Sequence, residues 1–289
     1  MEKLSEFGIN EKLEKQVSSP PKNYHIETTI PELDHLFGNF KIGEVSIVTS
    51  PERWLLDDFY YNLIVLLTYN QRVNTLYYPM LNDNTVEMFR RLLSIKSGTH
   101  TSAIDHLSIT STYDNLKLCD DAYTLEAMPL YISESPHLLQ EDLEDDIKKF
   151  KGVESDGFRL VLVDNLLFMR MISGVCGELV DPWLYAFTTL KRLAERHQVH
   201  IIFFSQDLIA TNYARLSDFI SVFWLYELEG ECEGSIITCR RERLERNEDD
   251  VNFQYEPATG AMAVTYYTPF ELEKAPEQIE YERRMRAEE

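Results

Sequence analysis

Cysteine is scarce in this chain. Four occur in 289 residues, Cys119, Cys176, Cys232 and Cys239, and none are in C-x-x-C spacing. That pattern argues for free thiols over a disulfide framework or a zinc site. His197 and His200 are three apart, but they straddle a helix end and a strand start, so no metal site is expected. No apolar run reaches the roughly 18 residues of a membrane span. The opening residues, Met1-Glu2-Lys3-Leu4-Ser5-Glu6, are not those of a signal peptide. A cytoplasmic protein without membrane association is the expectation. Basic charge is also short: 28 Lys and Arg stand against 49 Asp and Glu, a net charge of −21. Nucleic-acid affinity rests mostly on Lys and Arg neutralising phosphates, so this surface repels DNA unless a local patch overrides it. The best patch is Arg240, Arg241, Arg243 and Arg246, diluted by Glu242, Glu245, Glu248, Asp249 and Asp250. It reads either as a solvated charged loop or as a DNA contact.

A more telling shortage lies in one stretch. An apolar strand over residues 45–48 runs through Thr49-Ser50-Pro51-Glu52-Arg53-Trp54-Leu55-Leu56-Asp57-Asp58 into an apolar helix predicted over residues 59–69. In an α/β nucleotide-binding domain the first strand, loop and helix hold the phosphates. A working phosphate loop reads G-x-x-x-x-G-K-[ST], because it needs bare backbone N–H groups, a lysine charge and a hydroxyl for magnesium. From Ser50 to Asp58 there is no glycine, no lysine and no threonine, and Leu55-Leu56-Asp57 stands where Gly-Lys-Thr is expected.

What is present is a large α/β domain, with 44% hydrophobic residues supplying its core. Residues 1–24 form an arm and linker. Leu4, Phe7, Leu13 and Val17 are its apolar residues, and Ser18-Ser19-Pro20-Pro21 breaks it. Thr29-Ile30-Pro31-Glu32 fits a capping box that opens a short helix ending at Phe37, before Gly38. A second strand is expected over 75–80, then a helix over 84–96 stopped by Gly98. Residues 99–128 read as helical and irregular. Short strand 129–132, charged helix 137–151 and the doubly buried strand 158–163, ending in Asp164, follow. Asp181-Pro182 starts a helix. Strands are expected over 199–204, before Ser205-Gln206, and over 219–225. Strands at 235–240, 251–255 and 261–266 read as antiparallel. Residues 269–289 are a charged tail.

In this order the segments resemble the C-terminal RecA-like motor domain of DnaB-type replicative helicases. The resemblance runs over residues 28–264. It rests on Thr28-Thr29-Ile30-Pro31-Glu32-Leu33-Asp34 with Gly38 and Gly43-Glu44, and on Pro129-Leu130-Tyr131-Ile132. The stretch from Leu160 to Met169 resembles a Walker B strand with Asp164 in the magnesium-associated place. Leu190 to Gln206 resembles the helix and strand that lead to a sensor glutamine. Ser217 to Tyr226 resembles the next strand, and Ile236 to Arg241 with Tyr255 to Gly260 resembles the closing strands. The fold implied is RecA-like and three-layered: a mostly parallel central sheet, helices on both faces, and an antiparallel C-terminal edge. The domain should span residues 25–268.

The departures fall on the chemistry. Leu56 occupies the lysine's place and Asp57 that of the magnesium hydroxyl. Met80-Leu81-Asn82 stands where the family has its catalytic glutamate. Cys239 stands at the position of a lysine that reaches the neighbouring nucleotide, and only Arg241 persists beside it. Asp164, Gln206 and Arg241 are therefore vestigial candidates at most, and the degenerate loop is Pro51, Glu52, Arg53, Trp54, Leu55, Leu56 and Asp57. ATP and magnesium are not expected as cofactors, because like charges at the loop repel phosphate. The implied function is a non-catalytic RecA-like binding or assembly module linked to replication, recombination or a mobile element. The alternatives are a divergent DNA-dependent ATPase or helicase, or an ATP-independent nucleic-acid binder using Arg240 to Arg246. Residues 3–17 sit where the family has a linker helix that docks on a neighbouring subunit, so a homo-oligomer through the arm is the expectation, with a replication or mobile-element protein as a further partner. With residues 1–27 ahead of Thr28, the family's separate N-terminal helical domain is not expected. For Asp164, a plain strand end and a vestigial metal role both remain open, as does a plain polar strand end for Gln206.

Overall fold

The computed structural model of the protein describes residues 25–28, 30–37, 40–79, 85–105, 112–133, 140–151, 159–164, 182–206, 221–228, 235–241 and 251–265. Helix α1 (Pro31–Phe37) precedes strand β1 (Val45–Ser50). Helix α2 (Arg53–Leu63) follows and widens into a π-helical continuation (Ile64–Asn70), then β2 (Thr75–Tyr78). Three helices come next, α3 (Thr85–Ser97), α4 (Thr101–Asp105) and α5 (Thr112–Glu126), and then β3 (Leu130–Ile132). Helix α6 (Gln140–Lys151), β4 (Leu160–Asp164), α7 (Pro182–His197) and β5 (His200–Gln206) alternate. β6 (Ser221–Leu228), β7 (Ser235–Arg241), β8 (Val251–Glu256) and β9 (Ala261–Thr265) close the chain's described part.

All nine strands form one sheet in the order β3-β2-β4-β5-β1-β6-β7-β8-β9. The six strands β1 to β6 are parallel, and β6 to β9 are joined by antiparallel ladders. The alternation of side chains explains why. In β4, Leu160 and Leu162 enter one core and Val161 and Val163 the other; in β5, Ile202 and Phe204 oppose Ile201 and Phe203. A strand apolar on both faces must be covered on both, which a parallel sheet with crossover helices provides. Residues of α1, α2, α3 and α5 fill one core, and residues of α6 and α7 fill the other. This is the three-layer RecA-like arrangement that the segment order implies.

One expectation is corrected. The first core helix starts at Arg53, not Phe59. Leu55, Leu56, Phe59, Tyr60 and Leu63 are all buried. Their spacing is that of a helix face, so the helix extends back to the strand. Thr29, at which the capping box is expected, lies outside the described residues; Thr28 beside it makes polar contacts at the start of α1. The Thr28 backbone N–H and hydroxyl both donate to Asp34 Oδ1, at 2.6 and 2.8 Å, and the Ile30 N–H donates to Thr28 Oγ1 at 3.1 Å. Within residues 99–128, read as helical and irregular, the structure has the two helices α4 and α5. Gly98 ends α3 as expected, in the left-handed region (φ +68°) that glycine adopts without strain. Gly38, residues 1–24 and residues 269–289 lie outside the described residues.

Candidate functional site

β1, β4 and β5 are neighbours, so their C-terminal ends lie side by side. Ser50 is level with Gln206, and Asp164 is level with Phe204. In open α/β sheets this edge is where ligands bind. The fold therefore gathers the loop, Asp164 and Gln206, three of the features singled out from sequence.

The connection from β1 to α2 is two residues long, Pro51 and Glu52, because β1 ends at Ser50 and α2 begins at Arg53. A phosphate cradle has several residues of open loop whose N–H groups point inward. Here Leu55, Leu56 and Asp57 sit in the first turns of a helix. Leu55 and Leu56 are fully buried in the core, while Trp54 stays 36% exposed with its ring 5.2 Å from that of Tyr255. The two leucines thus belong to the hydrophobic core, and Trp54 lies at the surface. The Glu52 N–H donates to Ser50 Oγ at 3.1 Å, and Gln206 Nε2 donates to the Pro51 carbonyl at 2.9 Å. Gln206 thus ties down the loop.

The centre of the site is Arg53. Its Nη2 lies 2.5 Å from Asp164 Oδ2 and its Nε 2.6 Å from Asp57 Oδ1. Asp164 is fully buried and Arg53 mostly so. Burial alone would pull the Arg53 guanidinium down. The Asp164 hydrogen bond and the charges of Asp164 and Asp57 outweigh it and hold the guanidinium above its ordinary value. A cation at a helix N-terminus opposes the helix dipole; the two carboxylates are what make it tolerable here. The sequence shows Arg53 as one positive charge among acids. It does not show that Arg53 faces Asp164, which lies 111 residues away. The available signal was a lone arginine at the loop and a lone aspartate at the end of a doubly buried strand.

Asp58, the next acid, points elsewhere. Its Oδ2 accepts the Tyr255 hydroxyl at 2.6 Å, and Arg91 Nη1 lies 3.6 Å from Oδ1. Burial raises the Asp58 carboxyl, against the Tyr255 hydrogen bond and the Arg91 charge. One turn on, Asn62 Nδ2 donates to the Gly260 carbonyl at 2.8 Å, and the Met262 N–H donates to Asn62 Oδ1 at 3.0 Å. The β8–β9 hairpin therefore clamps α2 just behind the loop, a contact that sequence reasoning missed.

Arg241 is not gathered with these residues. It ends β7, two strands from β1, in the row Val48, Phe223, Arg241; Arg240 stands opposite Trp224, and Cys239 opposite Leu225. Arg243, Arg246 and the Met80-Leu81-Asn82 stretch lie outside the described residues. Among the described residues no three His, Cys, Asp or Glu side chains form a metal-holding group. No helix among them is long and apolar enough to cross a membrane.

Magnesium and ATP, which the resemblance implies for catalytic relatives, do not fit these residues. The cradle is two residues long, and the carboxylate in the magnesium-associated place is already held by a guanidinium. A phosphate entering here would meet Asp57 and Asp164 once Arg53 was displaced, at about 4 kcal/mol per pair of unit charges about 4 Å apart at an effective dielectric near 20.

Comparison with known proteins agrees with the fold. The sequence profile of the DnaB-like helicase C-terminal domain matches residues 25–211. No curated protein sequence matches the chain. Among solved structures, a DnaB-like replicative helicase, described with its interactions with primase, superposes with a TM-score of 0.67 at 14% identity, over 91% of this chain and 67% of that one. A second solved structure, described as an ATPase domain, superposes with a TM-score of 0.70 at 14% identity, over 91% of this chain and 99% of that one. At such identity the superpositions speak for the fold.

Proposed function

Since the chain belongs to the family of DnaB-like helicase C-terminal domains, we propose that it is a replication-helicase-related RecA-like module that neither binds nor hydrolyses nucleotide and works by binding and assembly. The observation that carries this reading is the Arg53 bridge to Asp164 and Asp57 across a two-residue connection. The positions that would face phosphate and magnesium satisfy each other instead. The arm over residues 1–24 is the element for self-association. A replication or mobile-element protein is the class of partner, in keeping with a structural relative described with primase.

Titration of a fluorescent ATP analogue against the full chain, with and without magnesium, tests the reading. No saturable, magnesium-dependent signal is expected. Saturable binding that requires magnesium would overturn it, and DNA-stimulated phosphate release abolished by Asp164→Ala would replace it with the ATPase alternative.

A further inference from the structure

β9 is the outer strand of the sheet, and Ala261-Met262-Ala263-Val264-Thr265 contains neither a charge nor a proline. Such an edge invites pairing, and proteins guard it with charges, prolines or a covering segment. Asn62 caps its first part, holding the Gly260 carbonyl and the Met262 N–H on the side away from β8. Backbone groups alternate in direction along an antiparallel strand, so the N–H and carbonyl of Val264 face the same way. Beyond Asn62, no described residue bonds that side of the strand. A cavity of about 430 Å³ opens beside it. That is the size of a binding cleft, roughly 300–1,000 Å³, rather than of a packing void. Half-buried Ile30, Val65, Leu66, Ile95, Met262 and Val264 line it, and no charged residue does.

We infer that the occupant of this groove is the chain's own segment 269–273, added to β9 as a further antiparallel strand; the step goes beyond the reading of the phosphate loop and does not depend on it. The chain leaves β9 at Thr265, one residue past Val264 of the cavity wall. Phe270-Glu271-Leu272-Glu273 alternates apolar and acidic residues at the period of a strand. A hairpin loop over Tyr266-Tyr267-Thr268, three residues being a common length, sets Phe270 opposite Val264 and Leu272 opposite Met262. Opposite residues share a face. Phe270 and Leu272 therefore lie on the face where Met262 and Val264 pack against the core, and Glu271 lies beside exposed Ala263. The N–H and carbonyl of Val264 pair with Phe270, and the Leu272 N–H donates to the Met262 carbonyl. Pro269 falls opposite Thr265, where a strand's N–H points away from its neighbour, so its missing donor costs nothing. The new edge carries Glu271, Glu273, Lys274, Pro269 and Pro276, the guards that β9 lacks.

Two measurements on full-length chains test this. Hydrogen exchange reads the edge: the Val264 amide should exchange about tenfold faster in Phe270→Glu/Leu272→Glu than in the wild type, because the variant loses the apolar pair that seats the strand. The Met262 amide, held by Asn62, should keep its rate in both. Glu271→Gln/Glu273→Gln, on the outer face, should leave both amides unchanged. Cross-linking reads the register: Ala263→Cys/Glu271→Cys places two thiols in a non-hydrogen-bonded pair, within reach of a disulfide. Mild oxidation should join positions 263 and 271 within one chain, seen by peptide mass and as a monomer on a non-reducing gel. Ala263→Cys alone and Glu271→Cys alone, which keep the native cysteines, should give no such product. A bond from 263 to 271 between two chains would assign the groove to a second copy's tail and overturn the inference. A double-cysteine chain without the bond overturns it too, as does a Val264 amide that exchanges at one rate in the wild type and in Phe270→Glu/Leu272→Glu.

Discussion

His200 shows how a single buried side chain sets a pH dependence. It is 1% exposed, and Nδ1 lies 2.7 Å from the Lys41 carbonyl, so Nδ1 carries the proton and donates. Nε2, 3.0 Å from Ser46 Oγ, then accepts the serine hydroxyl. Both nitrogens are used by the neutral ring. Burial lowers its pKa from 6.5 to about 4, against the raising effect of the Lys41 bond. Between these values the unfolded chain binds a proton that the folded one refuses. The contribution to stability is therefore full above pH 6.5 and is lost as the pH falls towards 4. At 1.36 kcal/mol per pKa unit the loss is about 3 kcal/mol. Urea unfolding at several pH values should show His200→Gln with a shallower decline than the wild type across that window; parallel declines would refute the assignment. The phosphate loop teaches the same lesson in another residue. Its lack of Gly-Lys-Thr was visible in the sequence, but Arg53's role was not, because its partner Asp164 is remote in the chain.

Among the elements, the C-terminal hairpin matters more to the site than its distance in sequence suggests. β8 and β9 reach α2 through Tyr255 to Asp58, and through Asn62 to Gly260 and Met262. Phe253 adds an edge-on ring 5.8 Å from Phe59. Gly260 sits at φ +74°, and a Cβ there would lie 3.0 Å from Asp58 Oδ1. Gly260→Ala is expected to cost about 1–3 kcal/mol, combining the left-handed backbone with crowding of a carboxylate. Tyr255→Phe should cost about 1–3 kcal/mol by leaving buried Asp58 without its hydroxyl donor. Denaturant melts give the cost of each. Hydrogen exchange gives its location: the Met262 amide should exchange faster in both variants, while amides of β4 and β5 keep their protection. The strands and the turn of this hairpin were legible from alternation and from Pro257-Ala258-Thr259-Gly260. Its grip on α2 was not, since nothing local in either segment names the other.

For the whole molecule, charge decides which contacts are open to it. A net charge of −21 sets the body of the protein against DNA and against a second copy of itself. The arm over residues 1–24 differs: four Glu (2, 6, 11 and 14) balance four Lys (3, 12, 15 and 22) around Leu4, Phe7, Leu13 and Val17. Assembly through the arm should then strengthen as salt screens the bodies, over a distance of about 10 Å at 0.1 M. Sedimentation of the full chain and of a chain lacking residues 1–24 checks this. The full chain should gain mass with salt, and the shortened one should sediment as a monomer throughout. Unchanged mass on removal of the arm would move the interface elsewhere.

The sequence by itself determined the layered α/β architecture and the lack of a Gly-Lys-Thr run between β1 and α2. Both are local properties: strands apolar on two faces demand cover on two faces, and bare backbone with a lysine cannot be supplied by Leu55-Leu56-Asp57. Only the tertiary structure decided how the remaining charges are spent. Strand order placed Asp164 and Gln206 beside the end of β1, and the two-residue connection swung Arg53 onto Asp164. The reason is physical. A buried carboxylate takes whatever cation the fold brings within reach, and reach is a property of the packed chain.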